Sequence, residues 1–135
     1  MHDSNVKPLG IVLIVIFSVL TGLVSLLGGF LSMLLSGIPG ISFFAYLLGT
    51  LFTAHAVFTF AAVYGLWVLQ RWGLKLAFWL YIIAIPLGIL AIFPILPGSE
   101  FTTANTVFQL IFIVIDFLII LYLGKLDIAI LYDAL

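Results

Sequence analysis

Long apolar runs alternate along the chain with short polar breaks. Four runs, at 9–35, 42–69, 74–93 and 103–123, reach the length of roughly 20 residues that a helix needs to cross a bilayer. The pattern therefore predicts an all-α fold, a four-helix transmembrane bundle in a single domain. The apolar run after Lys7 is about twice as long as the roughly 7–15 residues of a secretory h-region, and no A-x-A-like site follows it. It reads as a retained first helix, with Pro8 in its opening turn, where a missing N–H does no harm.

The first run carries the clearest internal pattern. Ser18, Gly22, Ser25, Gly29, Ser32 and Ser36 are spaced 4, 3, 4, 3 and 4 residues apart, a heptad seam of small side chains. Lipid does not drive helices together, so close backbone approach must do so, and small residues permit it. The 3.5-residue period implies left-handed packing. Two partners suit such a seam: the chain's own helices, or another subunit.

The breaks are equally informative. Gly37-Ile38-Pro39-Gly40 is a turn by composition. Between the second and third runs stands WVLQRWGLKLAFW at 67–79, where Gln70, Arg71, Gly73 and Lys75 interrupt the apolar flow and Trp67, Trp72 and Trp79 bracket them. Indole rings prefer the membrane boundary and basic side chains its cytoplasmic face, so these residues are interface anchors. Pro86 sits mid-way along the third run and predicts a kink. Pro94, Pro97 and Gly98 are expected to end that helix, Thr102 or Thr103 to cap the fourth, and Gly124 with Lys125 to close it. The tail after Gly124 alternates acidic and apolar residues and fits either an interfacial segment or an extension of the fourth helix.

Charge adds orientation. With four spans, both termini and the 67–79 hairpin share one side, and Lys7, Arg71, Lys75 and Lys125, the only Lys and Arg residues in the chain, all fall there. By the positive-inside rule that side is cytoplasmic, which predicts a multi-pass cell-membrane protein with both termini inside. Mean hydropathy of +1.47 and 7% charged residues exclude an ordinary soluble domain, where roughly 25% are charged. A net charge of −1 leaves no electrostatic footprint for nucleic acid. The absence of cysteine removes disulfides and thiolate metal sites.

Several of these residues together resemble a family of small four-helix membrane proteins of archaea and bacteria with no assigned function. Its members begin with a basic residue followed by P-x-G, here Lys7-Pro8-Leu9-Gly10. Their second and third helices meet at a G-L-W…R-W-G…L-A hairpin, here Gly65-Leu66-Trp67, Arg71-Trp72-Gly73 and Leu76-Ala77. The resemblance implies four helices and carries no catalytic residues.

Ionisable groups inside hydrocarbon are expensive and are candidates for function. Here they are His55 and Asp116. At about 1.5 Å per residue, His55 lies roughly 24 Å from Arg71 and Asp116 roughly 13 Å from Lys125. A His–Asp dyad is therefore disfavoured. Gln109 matches the depth of His55, and Asp116 lies nearer the level of Ser18, Tyr64 and Tyr81. Asn105, Gln109 and Asp116, spaced by 4 and 7, form a polar stripe on the fourth helix, suited to interhelical hydrogen bonding, a proton or ion path, or a partner subunit. An unpaired Asp116 is expected to take up a proton in lipid. With only His2, His55 and scattered carboxylates as ligands, neither metal nor cofactor is expected.

No catalytic motif is present. The sequence favours a non-catalytic integral membrane protein, an accessory or structural subunit of a larger complex or a homo-oligomer in the lipid bilayer. The alternative is a small oligomeric transporter or channel using the stripe on the fourth helix.

Overall fold

A computed structural model describes residues 7–40, 42–93 and 100–133. Within them the chain is all-helical: α1 (Leu9–Leu35), α2 (Ser42–Trp67), α3 (Arg71–Ile92), α4 (Thr103–Leu123) and a short α5 (Leu126–Asp133). The first four are long and apolar enough to span a bilayer. Pro94, Pro97 and Gly98, most of the following loop, and His2 lie outside the described residues.

Local chemistry sets the helix ends. Pro8 precedes α1, and its carbonyl accepts from Ile11 and Val12. Thr102 caps α4, its hydroxyl accepting from the Asn105 N–H at 3.3 Å, so that one otherwise unpaired donor is satisfied. α3 runs through Pro86 to Ile92. Gly124 ends α4, and the tail forms a separate helix rather than extending it.

The hairpin is tighter than the sequence pattern suggests. α2 stops at Trp67 and α3 begins at Arg71, leaving only residues 68–70 between them. Gln70 N–H donates to Gly65 carbonyl at 2.8 Å and Leu69 N–H to Leu66 carbonyl at 3.2 Å. That bond pair is a Schellman closure, and its left-handed position, usually glycine, is held by Leu69 at φ 55°. Arg71 and Lys75 thus stand in the first turns of α3 rather than in a loop.

Packing is uneven along the bundle. α1 pairs with α2 along most of its length, from Ile11 to Gly29 on one side and Ala45 to Leu66 on the other. α3 buries Gly73, Ala77 and Tyr81, and α4 buries Asp116, Ile119 and Leu123. Among the described residues, α3 buries nothing beyond Tyr81 and α4 nothing before Asp116. One core therefore sits at the hairpin end, where Ile11, Ile14, Leu66, Ala77, Tyr81 and Ile119 meet, and Ile128 and Tyr132 of α5 complete it. Tyr132 donates to the Leu66 carbonyl at 3.1 Å. Burial there pushes the ionisation of the Tyr132 phenol above its ordinary range.

Candidate functional site

The small-residue seam of α1 faces α2. A Cβ on Gly29 would stand 2.6 Å from Thr53 Oγ1 and 2.9 Å from the Gly49 carbonyl, and one on Gly49 would stand 2.8 Å from the Gly29 carbonyl. Gly22 lies under the Phe60 ring and Thr59 Cγ2. Ser25 Oγ meets His55 Nδ1 at 3.2 Å. Ser32 and Ser36 are half-buried near the far end, with Ser36 bonded to its own helix at Met33. Dispersion between touching backbones holds this pair, as lipid itself supplies no drive. Ser18, the first seam residue, instead reaches α3.

The intramembrane polar groups fall into two layers. Nearer the hairpin end, Ser18 (3% exposed), Tyr81 (8%) and Asp116 (7%) are buried on α1, α3 and α4. Ser18 Oγ donates to the Ile14 carbonyl at 2.7 Å and lies 2.5 Å from the Tyr81 hydroxyl. Farther out, His55 bonds to Ser25, while Gln109 bonds to Asn105 one turn away on α4, 3.4 Å from Nε2 to Oδ1. Of the stripe on α4, Gln109 faces Gly88 of α3 together with Ile113, while Asp116 is buried nearer the hairpin end. His55 and Asp116 do not pair: the His55 ring bonds to Ser25. Among the described residues no group of three metal-ligating side chains comes together.

Between the layers, Phe112 packs on Phe17 of α1 with ring centroids 5.7 Å apart, and on Phe108 at 4.7 Å. At the hairpin end, Lys7 Nζ lies 4.1 Å from the Trp67 ring centroid, a cation–π contact that pins the start of α1 to the end of α2. Lys125 lies 5.6 Å over Tyr122. Trp72, Trp79, Arg71 and Lys75 are exposed around the same end.

The sequence puts Tyr81 at the depth of Asp116 but does not signal its bond to Ser18, and nothing in it signals that Gly65 and Gly73 pack on each other. Tyr132 lies in a tail whose periodicity is ambiguous.

The fold and composition define a class, a multi-pass helical membrane protein with a buried polar layer. Comparison with known protein families, curated proteins and solved structures yields no match.

Proposed function

We propose that the chain is a non-catalytic, membrane-embedded subunit of a larger assembly, oriented with the hairpin end toward the cytoplasm. One observation carries this reading. The outer halves of α3 and α4 bury no described residue, yet they hold the half-buried amides Asn105 and Gln109. Side-chain amides in hydrocarbon strengthen association between helices, and here they stand where the bundle's own packing thins out. The α1 seam is filled by α2, so the docking face of this reading is α3–α4 and not α1. The orientation rests on Lys7, Arg71, Lys75 and Lys125 at one end against Glu100 at the other.

The test is what travels with the protein. Native membranes are extracted in mild detergent, separated on a native gel, and every polypeptide in the band is identified by mass spectrometry. A defined complex of fixed stoichiometry, weakened by Gln109→Leu, is the expected result. A band holding this chain alone overturns the reading. It moves the weight to a small self-assembled transporter, which the buried Asp116 favours.

A further inference from the structure

The four basic side chains at the hairpin end differ in what holds them. Lys7 lies over the Trp67 ring at 4.1 Å and Lys125 over the Tyr122 ring at 5.6 Å. Arg71 also takes part in an interaction within the chain. Lys75 is the exception. It is exposed, and among the described residues it has no hydrogen bond, ion pair or ring contact. No described carboxylate compensates it. The first turn of α3 holds no acid. Glu100 stands at the far end of the bundle, Asp116 is buried on α4, and Asp127 is exposed on α5 with no ion pair among the described residues.

The surroundings of Lys75 are aromatic. Spacings of 3 and 4 put Trp72, Lys75 and Trp79 on one face of α3, with Arg71, one turn before Lys75, at its edge. Both indoles are open to the outside, Trp72 46% exposed and Trp79 60%. Trp72 is nonetheless held in place, since its ring lies 3.1 Å from where a Cβ on Gly65 of α2 would stand. At about 1.5 Å per residue, Arg71 stands roughly 6 Å outside Lys75 and Trp79 roughly 6 Å deeper. The headgroup layer of one leaflet is roughly 5–8 Å thick. The column from Arg71 to Trp79 therefore crosses it, and Trp79 reaches the top of the acyl chains.

A lysine ammonium brings three donors and no acceptor, and each indole N–H adds one donor more. The lysine stem can lie along apolar surface while its head stays at the polar boundary. A phosphodiester is the complement: negative charge and acceptors, above an acyl chain that an indole can flank. A zwitterionic headgroup carries its own ammonium, which competes with Lys75 for that phosphate. An acidic headgroup has no such competitor and is drawn to basic residues at the membrane surface.

We propose that the Trp72–Lys75–Trp79 face of α3 is a binding site for an anionic phospholipid. Lys75 pairs with its phosphate, and the two indoles flank the headgroup and the upper acyl chain. Lys7, Arg71 and Lys125, already engaged within the chain, add to the field at this end without making the contact. The site depends neither on the subunit reading nor on which way the chain crosses the bilayer.

The test is tryptophan fluorescence of the full chain in lipid vesicles. All three tryptophans lie at the hairpin end, so their emission reports that end alone, and bromines on acyl chains quench an indole they touch. The vesicles are phosphatidylcholine carrying, in both leaflets, an added fraction of brominated phosphatidylglycerol or, in parallel, of brominated phosphatidylcholine. The anionic lipid is expected to quench at the lower mole fraction. Lys75→Gln should cut that preference roughly five-fold, the equivalent of one basic residue at a membrane surface. Lys75→Arg, which keeps the charge, should retain it, and Lys125→Gln should leave it close to the wild-type value. Equal quenching by the two lipids in the wild type overturns the proposal, as does a preference that survives Lys75→Gln or is lost in Lys75→Arg. A preference that Lys125→Gln reduces as much as Lys75→Gln overturns it too, because the charge of the whole end, and not this face of α3, would then select the lipid.

Discussion

Gly65 of α2 and Gly73 of α3 touch backbone to backbone. A Cβ on Gly73 would overlap the Gly65 main chain, and one on Gly65 would stand 2.5 Å from Gly73 Cα. The neighbour in each case is backbone and cannot swing aside. The three-residue turn at 68–70 fixes both helices within a few residues of the contact, so the strain cannot be spread along them. Gly65→Ala and Gly73→Ala should each destabilise the bundle by about 1–3 kcal/mol, the usual cost of overpacking. Gly28→Ala is the control. Its Cβ would meet only a Phe52 side-chain carbon at 3.9 Å, and alanine is favoured over glycine in a helix by up to about 1 kcal/mol. Midpoints of chemical unfolding in detergent separate the two outcomes.

The α1–α2 seam makes a second prediction. Gly29→Leu would drive a side chain into Thr53 and the Gly49 backbone and should part the two helices at that level. The natural chain lacks cysteine, so bifunctional cross-linking of an introduced pair such as Ser25→Cys with His55→Cys, whose native side chains meet at 3.2 Å, is free of background. Cross-linking should be rapid in the wild-type background and slow in Gly29→Leu. Equal rates would mean that the seam does not hold this pair.

Leu69 sets an unusual order of substitutions. A left-handed conformation costs an L-residue about 1–2 kcal/mol, and a β-branched one more. Leu69→Gly regains that term but loses a half-buried side chain packed on the core, an effect of similar size and opposite sign. The expected net change is small. Leu69→Val, chemically the closer replacement, should destabilise more than Leu69→Gly. The reverse order would contradict the left-handed assignment.

Tyr132 makes stability depend on pH. Its phenol is held neutral by burial, above the ordinary range. A group whose folded pKa is raised contributes nothing extra below the unfolded value of about 10 and loses stability as pH climbs beyond it. Docking of α5 should therefore weaken above about pH 10, seen as faster hydrogen exchange in α5 and at the hairpin. Tyr132→Phe should remove this alkaline response while costing about 1 kcal/mol through the lost bond to Leu66.

The four spans were legible because about 20 apolar residues have one physical use. The seam was legible for the same reason: small residues at heptad spacing mark a close contact. Its partner was not, since another subunit would leave the same marks as α2. The hairpin ends were misplaced because polarity at Gln70–Lys75 looks like loop, although long basic side chains reach the interface from within a helical turn. Leu69 gave no signal at all, as nothing in a leucine announces a positive φ. Depth arithmetic separated His55 from Asp116 and put Ser18, Tyr64 and Tyr81 near the level of the latter. It could not show that a hydroxyl 63 positions away in the chain closes on Ser18.

The position of α5 also bears on biogenesis. Ile128 and Tyr132 belong to the same core as Ile11 and Leu66, yet they are synthesised after all four spans. Each span can enter the bilayer as it emerges, but the hairpin-end core stays open until the chain has been made past Tyr132. Insertion and completion are separate events for this protein, and a chain truncated after Gly124 would keep all four spans yet leave the base of the bundle unfilled.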